Sequence, residues 1–278
     1  MGSWIDLKQD PHTGIEAIRA HFDGHAYDPH FHDSYLVGFT ETGVQQFHCR
    51  RVLHRSTPGQ VFLVEPGELH DGHAPADGGF TYSMLYLDPE WVGSALRGLF
   101  EEVPVDCQPG FAQTLVGEPA LRQAIVEACR AVQRPEPRMV RDAALDAMLA
   151  GLTRHLHWRR RLPDDPRLPS VALRARDYLH AHHDRDIGLV ELASVCGVDR
   201  YRLTRAFKAA FGLAPHAYLV QLRLARARRL LALGESPATV AARLGFADQS
   251  HMGRWFRRAY GLTPASYRRH CTKLPDPA

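Results

Sequence analysis

The same pattern of residues occurs twice in the last hundred residues of the chain. Residues 193–218 read ASVCGVDRYRLTRAFKAAFGLAPHAY, and residues 241–267 read AARLGFADQSHMGRWFRRAYGLTPASY. The recurring residues are Ala193, Gly197, Phe207, Gly212, Leu213, Pro215 and Tyr218, which return as Ala241, Gly245, Phe256, Gly261, Leu262, Pro264 and Tyr267. Their offset is 48 residues before the central turn and 49 after it, so the second turn has one extra residue. A doubled unit of short helix, glycine turn and basic helix predicts a helical domain that enters the DNA major groove twice.

The charges of the chain are distributed unevenly around this repeat. Residues 1–170 contain 16 Lys and Arg against 23 Asp and Glu, whereas residues 171–270 contain 17 against 7. The net charge of +3 therefore conceals an acidic half and a basic half. A basic block that coincides with a duplicated turn motif indicates nucleic-acid binding, and the acidic half is expected to have a different task.

Neither the cysteines nor the N-terminus points to export. The cysteines are scattered, with no CxxC pair and no zinc-like spacing, which favours free thiols in a reducing compartment. The first residues, MGSWIDLKQDPHTG, lack the basic start and the apolar run of a signal peptide. No segment has the ~20 consecutive apolar residues of a membrane-spanning helix. We expect a cytoplasmic, nucleoid-associated protein with no membrane partner.

Short strands are predicted in the acidic half. From about Tyr27 to Leu87 the apolar residues alternate or form short runs, as at 35–39, 60–64 and 80–87. Turns that contain Gly or Pro separate these runs. Such spacing predicts a compact β-barrel or sandwich.

Helical periodicity replaces this alternation after Pro89. Residues 118–133 and 139–161 carry apolar residues three and four positions apart, which predicts two helices. Their apolar stripes must be buried either on the chain's own sheet or on a second subunit, and a homodimer contact is one of these two alternatives. Residues 162–170 contain three prolines and two adjacent acids, and we interpret them as a linker between two domains.

The first copy of the repeat predicts a helix-turn-helix unit. A helix over 189–196 turns at Gly197, and Asp199 caps a second helix over 200–211. We call this second helix, and its counterpart in the other copy, the reading helices. The residues predicted to face inward on it are Leu203, Ala206, Phe207 and Ala210.

The second copy follows the same logic. Ser236-Pro237 starts a short helix, Gly245 turns, and Asp248 caps the second reading helix over 249–260. Its predicted inward residues are Met252, Trp255, Phe256 and Ala259. A long amphipathic helix over 215–233 joins the two copies, and the arginines expected to be spread around it are Arg223, Arg226, Arg228 and Arg229.

The exposed side chains of the reading helices suit a DNA groove. Arg can pair with O6 and N7 of guanine, Gln can pair with adenine, and Thr or Ser can reach several bases. Basic residues on the flanks are expected to contact phosphates, which adds affinity without sequence information. The predicted phosphate contacts are Arg202, Lys208, Arg257 and Arg258.

The region from about 171 to 270 resembles the DNA-binding domain of the AraC/XylS family of bacterial transcription regulators. In the first copy the matching residues are Glu191, Leu192, Ala193, Phe207, Lys208, Phe211, Gly212, Pro215 and Tyr218. In the connecting helix they are Leu222, Arg223, Leu224 and residues 227–231. In the second copy they are Ala241, Ala242, Gly245, Phe246, residues 249–251, 256–258 and 261–264, Tyr267 and Arg268.

This resemblance implies which residues read bases and which partners the chain meets. By register from the turn glycines, the base-reading positions of the family fall on Tyr201, Thr204 and Arg205 in the first helix. In the second helix they fall on Gln249, Ser250, His251 and Arg254. The implied partners are double-stranded promoter DNA and, for a regulator that activates, RNA polymerase.

Two short histidine motifs lie among the predicted strands. HFH at 30–32 and PGELH at 66–70 resemble the two short motifs of a cupin barrel. Strand alternation sends His30 and His32 to one face, and His70 can join them from a neighbouring strand. Three imidazoles that meet are able to hold a divalent metal. A metal-binding cupin has a Glu a few residues later, where this chain has Leu36 and Val37. We therefore expect a small-molecule pocket with no metal or other cofactor, and a metal site is the alternative.

A pocket in the mouth of such a barrel is the default place for an effector. The residues predicted to line it are His30, His32, Tyr35, Glu68, His70, Tyr82 and Tyr86. A place in the core or at the rim is the alternative for each of them.

Together these patterns predict a mixed fold of two domains. The first is a cupin-like β-barrel with trailing helices, and the second is an all-α domain with two helix-turn-helix units joined by a long helix. Residues 1–117 are expected to sense a small-molecule effector, 118–161 to dimerise and transmit, 162–170 to link, and 171–270 to bind DNA.

The predicted function is a sequence-specific, effector-controlled transcription regulator with no enzymatic activity. One alternative is a metal-dependent cupin enzyme with a DNA-binding appendage, and the missing Glu counts against it. The other is an architectural DNA-binding protein, which would bind all sequences alike.

Overall fold

The computed structural model describes residues 2–100, 107–160 and 169–271. Two compact units divide the chain, Met1–Arg161 and Leu162–Ala278. Residues 162–168 of the predicted linker lie outside the described residues. The segment predicted at 118–161 belongs to the first unit.

Antiparallel strands dominate the first unit. They are β1 (Trp4–Gln9), β2 (Glu16–Phe22), β3 (His25–His30), β4 (Tyr35–Gly43), β5 (Gln45–Cys49), β6 (Val52–Ser56), β7 (Val61–Val64), β8 (His70–His73), β9 (Phe80–Leu87), β10 (Cys107–Phe111), β11 (Leu115–Val116) and β12 (Leu156–Arg160). The apolar runs at 35–39, 60–64 and 80–87 correspond to β4, β7 and β9, which confirms those three predictions.

The strands form two larger sheets and one two-stranded ribbon. The order is β1-β2-β9-β4-β7-β11 in the first sheet and β3-β8-β5-β6 in the second, and β10 pairs with β12. Side chains of the two sheets meet in a shared interior. The ring centroids of Phe22 and Tyr27 are 5.9 Å apart, and those of Phe47 and Phe62 are 6.3 Å apart. The two sheets therefore pack with one face of each turned inward.

Helices cover the other face of the six-stranded sheet. They are α1 (Pro89–Leu99), α2 (Pro119–Gln133) and α3 (Arg138–Leu152). Val37 and Leu85 of the sheet share one core with Ile125 of α2 and Met148 of α3, and all four side chains are fully buried. The apolar stripes of α2 and α3 are thus buried on the chain's own sheet, which was one of the two alternatives.

The prediction of a helix over 139–161 is wrong in its second half. α3 ends at Leu152, a 3-10 turn covers Thr153–His155, and β12 follows. The helical spacing of apolar residues continues through Leu156, so the local pattern gives no warning. The strand forms because β10, more than forty residues upstream, supplies its backbone partners.

The second unit is helical throughout its described residues. Its helices are α4 (Ser170–Ala181), α5 (Leu189–Cys196), α6 (Arg200–Phe211), α7 (Pro215–Ala232), α8 (Pro237–Arg243), α9 (Gln249–Tyr260) and α10 (Pro264–Cys271). The predicted bounds of α5, α6 and α9 are confirmed.

Each reading helix buries an apolar stripe. Leu203 and Phe207 of α6 pack with Leu179 of α4 and Leu192 of α5 in one core. Met252, Phe256 and Ala259 of α9 are buried as predicted, whereas Ala206, Ala210 and Trp255 are only half-buried.

Two further features concern the chain as a whole. None of the helices in the described residues is both long enough and apolar enough to cross a lipid bilayer. The five cysteines all lie within the described residues and form no disulfide bond.

Candidate DNA-reading helices and effector site

α6 is the first reading helix, and it is capped at both ends. The Asp199 carboxylate accepts hydrogen bonds from the backbone N–H groups of Tyr201 and Arg202, each at 2.9 Å. The bond from Arg202, followed by that from Tyr201, holds the pKa of this carboxyl below its usual value. Gly212 ends the helix in the left-handed region, at a φ of 76°. These two local signals fix where the helix begins and ends. The buried stripe of Leu203 and Phe207 then decides which face of the helix is outward.

The base-reading residues predicted on α6 differ in exposure. Tyr201 and Arg205 are exposed, and Thr204 is half-buried. The Thr204 hydroxyl donates to the Arg200 carbonyl at 2.8 Å, so its proton is used within the helix. The Arg200 guanidinium lies 5.0 Å from the centroid of the Tyr201 ring. The exposed start of α6 therefore presents a phenol and guanidinium groups.

α9, the second reading helix, is built in the same way. Asp248 accepts a hydrogen bond from the backbone N–H of His251 at 2.6 Å, and Gly261 ends the helix at a φ of 71°. Gln249, Ser250 and Arg254 are exposed. Three of the four base-reading residues predicted on α9 thus face solvent.

His251 is the fourth, and it is held by its neighbours. The indole N–H of Trp255 donates to His251 Nε2 at 3.0 Å, and the ring meets Phe246 edge-on at 5.7 Å. His251 is also half-buried. Its ring packs against the start of its own helix, a contact that the sequence analysis did not predict.

The predicted phosphate contacts all lie at the surface. Arg202, Lys208, Arg257 and Arg258 are exposed. Lys208 and Arg257 occupy equivalent places, since each comes nine residues after the capping Asp of its helix.

Arg223 of α7 is buried, with 8% of its side chain exposed. Its guanidinium donates to three backbone carbonyls, those of His183 at 2.6 Å, Gly245 at 2.7 Å and Arg185 at 2.8 Å. His183 and Arg185 lie between α4 and α5, whereas Gly245 is the turn glycine of the second copy. One side chain therefore joins the α4–α5 connection, which leads into the first copy, to the turn of the second copy.

Arg228 is the second buried arginine of α7. Its guanidinium lies 5.2 Å from the ring centroid of Tyr260 and 5.4 Å from that of Tyr267. The arginines are spread around this helix as predicted, but Arg223 and Arg228 are buried and are used in packing within the unit.

The two turn glycines have different surroundings. Both adopt a left-handed backbone, with φ of 67° at Gly197 and 71° at Gly245. A Cβ at Gly197 would have open space, whereas a Cβ at Gly245 would lie 2.5 Å from the carbonyl oxygen of Asp184. The second turn therefore requires glycine for close approach as well as for its backbone conformation.

In the first unit, three histidines converge. His30 ends β3, His32 follows it, and His70 begins β8 directly opposite His30. All three are buried. One ring nitrogen from each lies within 4.8 Å of the others, and the two Nε2 atoms of His30 and His32 are 2.9 Å apart. The two sequence motifs thus meet, and we call these three residues the histidine cluster.

Backbone carbonyls orient two of the three rings. His30 Nδ1 donates to the Asp28 carbonyl at 2.7 Å, and His70 Nδ1 donates to the Glu68 carbonyl at 2.9 Å. Because a carbonyl only accepts, each of these two rings carries a proton on Nδ1, and Nε2 of His30 is hydrogen-bonded to Nε2 of His32. Burial lowers the pKa of His70, which favours its neutral form near pH 7.

Tyrosine rings pack around the histidine cluster. Tyr27 meets His30 edge-on with centroids 5.1 Å apart, and Tyr86 meets His32 edge-on at 4.9 Å. Gly72 on β8 makes room for Tyr27, because a Cβ there would lie 2.5 Å from the tyrosine ring.

Tyr82 lies in the same interior, between aromatic side chains. Its ring centroid is 6.2 Å from that of Phe22 and 5.9 Å from that of Phe62. Burial raises the pKa of Tyr82, and also that of Tyr27, so both phenols stay protonated. The interior therefore combines imidazoles with protonated phenols.

Two residues predicted for the pocket have side chains elsewhere. Tyr35 belongs to the core under the helices, and its hydroxyl donates to the Pro109 carbonyl at 2.7 Å. The Glu68 carboxylate pairs with Arg50 at 2.5 Å, and only its carbonyl reaches the histidine cluster. Tyr35 lies on the face of β4 turned away from the histidine cluster, and alternation does not reveal this because both faces of β4 are buried.

A buried carboxylate near this region was missed by the sequence analysis. Glu65 is 4% exposed, pairs with Arg50 and Arg159, and accepts a hydrogen bond from the Phe111 backbone at 2.7 Å. Arg50 adopts a left-handed backbone, with a φ of 53°. These partners come from distant strands, so no local signal reveals the network.

A basic groove was also missed. Its volume is about 730 Å³, and it lies beside α2. Its basic lining residues are Arg19, Arg122, Arg130 and Arg134. Arg19 pairs with Glu41 at 2.8 Å, and Glu41 also lines this groove. The arginines come from β2 and α2, which are far apart in sequence.

Two protein-family models match the chain. The model of the AraC-like ligand binding domain matches residues 12–168, which is more than half of the chain. The model of a helix-turn-helix domain matches residues 192–270, the region that contains both copies of the repeat.

Curated relatives match along most of the chain. The HTH-type transcriptional regulator YbfI of Bacillus subtilis is 27% identical over 246 residues, which cover 88% of each chain. The HTH-type transcriptional activator RhaS of Enterobacter sp. is 25% identical over 280 residues, which cover 95% of each chain.

Solved structures share the arrangement of elements. The chain matches apo ToxT of Vibrio cholerae with a TM-score of 0.54 and 13% identity over 98% of each chain. It matches ToxT with a bound unsaturated fatty acid at a TM-score of 0.53 and 13% identity, over 99% of this chain and 96% of the other. The likeness shows a common fold. With both family models and the regulators that match along its length, the chain belongs to the AraC family of transcription regulators, with an N-terminal ligand-binding domain and a C-terminal helix-turn-helix DNA-binding domain.

Proposed function

We propose that this regulator recognises an asymmetric DNA site by placing α6 and α9 in two successive major grooves. The observation that carries the proposal is the match between the two capped helices. Arg205 and Arg254 each come six residues after the capping Asp, and both are exposed. A guanidinium at such a position can pair with O6 and N7 of guanine. Successive major grooves are about 34–36 Å apart, and α7 sets the separation of the two helices.

The remaining exposed residues divide into two roles. Tyr201, Thr204, Gln249 and Ser250 are assigned to base edges, and Arg202, Lys208, Arg257 and Arg258 are assigned to phosphates. The exposure of seven of these residues supports the assignment, and Thr204 is half-buried. His251 is assigned to positioning the start of α9, because Trp255 and Phe246 already hold its ring.

The effector is proposed to bind in the interior of the first unit, against the histidine cluster, Tyr82 and Tyr86. Buried imidazoles and phenols are groups that a polar small molecule can satisfy by hydrogen bonding. ToxT, which has the same fold, has been solved with an unsaturated fatty acid bound. Effector binding would then favour one placement of the DNA-binding units over another.

The proposal also covers the assembly, the partner, the location and the chemistry of the regulator. The regulator acts as a homodimer, meets RNA polymerase at promoters in the cytoplasm, and catalyses no reaction. Met139 and Val140 are exposed apolar residues at the start of α3, and they offer a surface to a second subunit. The relatives that match along the whole chain carry the names of transcription regulators, which supports a role without catalysis.

Footprinting tests the mode of DNA binding. Purified protein is bound to DNA fragments that flank its own gene, with salt and random competitor DNA varied. We expect a protected segment that spans two successive turns of one face and survives the competitor. Protection of a single turn, or of every sequence alike, would contradict the proposal.

Paired substitutions test the assigned roles. Arg205→Ala and Arg254→Ala should each weaken binding to the footprinted site by about 1–3 kcal/mol and relax its sequence discrimination. Lys208→Ala is the matched control, and it should weaken specific and random DNA to the same degree. Equal losses on both DNAs for the two arginine variants would show that they contact phosphates only.

The effector site is tested by comparing the interior with the basic groove. Small organic acids and alcohols are screened for a rise in melting temperature of the full chain. Tyr86→Ala should abolish the rise caused by a true effector, whereas Arg122→Ala should leave it intact. If Arg122→Ala abolished the rise and Tyr86→Ala left it intact, the effector site would lie in the groove beside α2.

A further inference from the structure

We propose that the basic groove beside α2 is a second ligand site, and that it binds an elongated dicarboxylate, a molecule with one acid group at each end. None of the described residues that line the groove belongs to the histidine cluster, and Tyr82 and Tyr86 are not among them. A ligand in the groove would therefore bind beside the effector proposed above and not in its place.

One side of α2 forms a wall of the groove. The lining residues of this helix and its C-cap are Arg122, Val126, Cys129, Arg130, Gln133 and Arg134. They recur three or four positions apart, which places them on one side of the helix. From Arg122 to Arg134 this side extends about 18 Å, since each helical residue adds about 1.5 Å. The groove is therefore elongated along α2, and strands β1, β2, β4 and β9 supply lining residues opposite the helix.

A carboxylate of the chain itself already lies in the groove. Glu41 accepts hydrogen bonds from the Arg19 guanidinium at 2.8 Å and from the Ser83 hydroxyl at 2.6 Å. Burial alone would raise the pKa of Glu41, but these hydrogen bonds and the charges of Arg19 and Arg130 lower it, so Glu41 stays ionised. Arg130 also pairs with Glu127 at 3.1 Å. Two of the four arginines in the groove thus have carboxylate partners.

The other two arginines, Arg122 and Arg134, lie at opposite ends of this side of α2. Both are exposed, and neither has a carboxylate partner among the described residues. The loop at Gly59 lies against Arg122, because a Cβ at Gly59 would be 3.7 Å from Nη1 of that arginine. Each end of the groove therefore presents a guanidinium that can pair with an anion.

An unused amide lies beside Arg134. Nε2 of Gln133 is buried and has no hydrogen-bond partner within the part of the chain that the structure describes. A buried donor without an acceptor is costly, and a bound carboxylate oxygen would satisfy it. The end of the groove at Arg134 thus offers both a charged and a neutral donor to one acid group.

The charge and the lining of the groove indicate the class of ligand. Its four arginines face two carboxylates, those of Asp6 and Glu41, which leaves an excess of two positive charges. A molecule with a single acid group can neutralise only one end. Phe39, Pro58 and Val126 also line the groove and offer carbon surface to the skeleton of a ligand. An elongated dicarboxylate matches the excess charge, the separation of the two free guanidiniums and this surface.

Calorimetric titration of the full-length protein tests the site. The probes are linear dicarboxylates from succinate to dodecanedioate, each compared with the monocarboxylate of the same chain length. We expect affinity to rise with chain length, and the best dicarboxylate to bind at least about tenfold more tightly than its monocarboxylate, because it pairs with two guanidiniums and not one. No binding by any dicarboxylate, or equal affinity for both series, would overturn the proposal.

Arginine variants locate the two ends of the ligand. Arg122→Ala and Arg134→Ala should each weaken binding of the best dicarboxylate by at least about 5-fold and remove its advantage over the monocarboxylate. Arg138→Ala is the matched control, since Arg138 is an exposed arginine of the neighbouring helix α3 that pairs with Asp142 at 3.5 Å. Unchanged affinity in both groove variants, or the same loss in the control, would overturn the site.

Two further variants separate the groove from the other sites of the protein. Tyr86→Ala alters the proposed effector site, and Arg257→Ala alters the basic face of α9. Both should bind the dicarboxylate as the wild type does. A loss in Tyr86→Ala as large as that in Arg122→Ala would show a single shared site, and a loss in Arg257→Ala would place the acid on the DNA-binding face. Either result overturns the groove site and leaves DNA recognition, which footprinting tests, intact.

Discussion

The two copies of the helix-turn-helix unit are alike in their reading helices and unlike in how their turns are held. α6 and α9 have twelve residues each, an Asp at the start and a left-handed Gly at the end. Gly197 of the first turn has open space around it, whereas Gly245 of the second touches Asp184 and Arg223. The two reading helices are thus alike, while the turn of the second copy depends on contacts with the α4–α5 connection and with α7.

Replacing Arg223 tests this dependence most severely. Arg223→Met should lower the free energy of unfolding of the second unit by about 4 kcal/mol, because three backbone carbonyls lose the charged donor that a buried side chain supplies. Urea denaturation of the full chain, followed by circular dichroism, measures the loss. Arg226→Met on the same helix is the control and should cost less than about 1 kcal/mol, since Arg226 is only half-buried. Equal losses of unfolding free energy in the two variants would mean that Arg223 does not hold the α4–α5 connection and the second turn together.

The turn glycines give a second and smaller contrast. Gly197→Ala should cost about 1 kcal/mol, the strain of a left-handed alanine. Gly245→Ala should cost about 3 kcal/mol, because its new methyl group also meets the Asp184 backbone. The two single variants are compared by urea denaturation under one set of conditions. Losses of the same size would remove the asymmetry between the turns.

Acid should affect the first copy through two histidines near its start. Burial, reinforced by Arg226, lowers the pKa of His180 and His183 below the ordinary value of 6.5. Both are therefore neutral when folded and take up protons more readily when unfolded. Their contribution to stability is complete above about pH 6.5 and is lost as the pH falls through the lowered values.

Of the three predicted changes in stability, the one caused by His180 and His183 is the smallest, because both side chains are partly exposed. Unfolding midpoints in urea at pH 7.5 and pH 5.5 should differ more for the wild type than for the double variant His180→Gln/His183→Gln. His216→Gln, at an exposed position of α7, should behave as the wild type. A double variant with the wild-type pH dependence would rule these histidines out as the acid-sensitive element.

Local signals explain why the reading helices were predictable from the sequence. Asp199 and Gly212 mark the ends of α6 with their own hydrogen bonds and backbone angles, and Asp248 and Gly261 do the same for α9. Nothing outside these segments is needed to place their ends. The histidine cluster was also foreseen, because two short motifs on paired strands bring its members together.

What could not be predicted depends on residues far apart in the chain. Arg223 is a polar residue on an amphipathic helix, and its acceptors at His183 and Arg185 lie 40 and 38 residues away. β12 is a strand because β10 pairs with it, although its apolar spacing is helical. Tyr35 lies on a strand with two buried faces, so the sequence alone does not distinguish a core position from a pocket position.

The equal lengths of α6 and α9 make the two helices interchangeable as modules. Leu203 and Phe207 come four and eight residues after their capping Asp, and Met252 and Phe256 do so in the other helix. The outward residues of one helix can therefore be transplanted onto the other without disturbing either apolar stripe. A chain in which the outward residues of α6 and α9 are exchanged would recognise an operator whose two half-sites stand in reversed order.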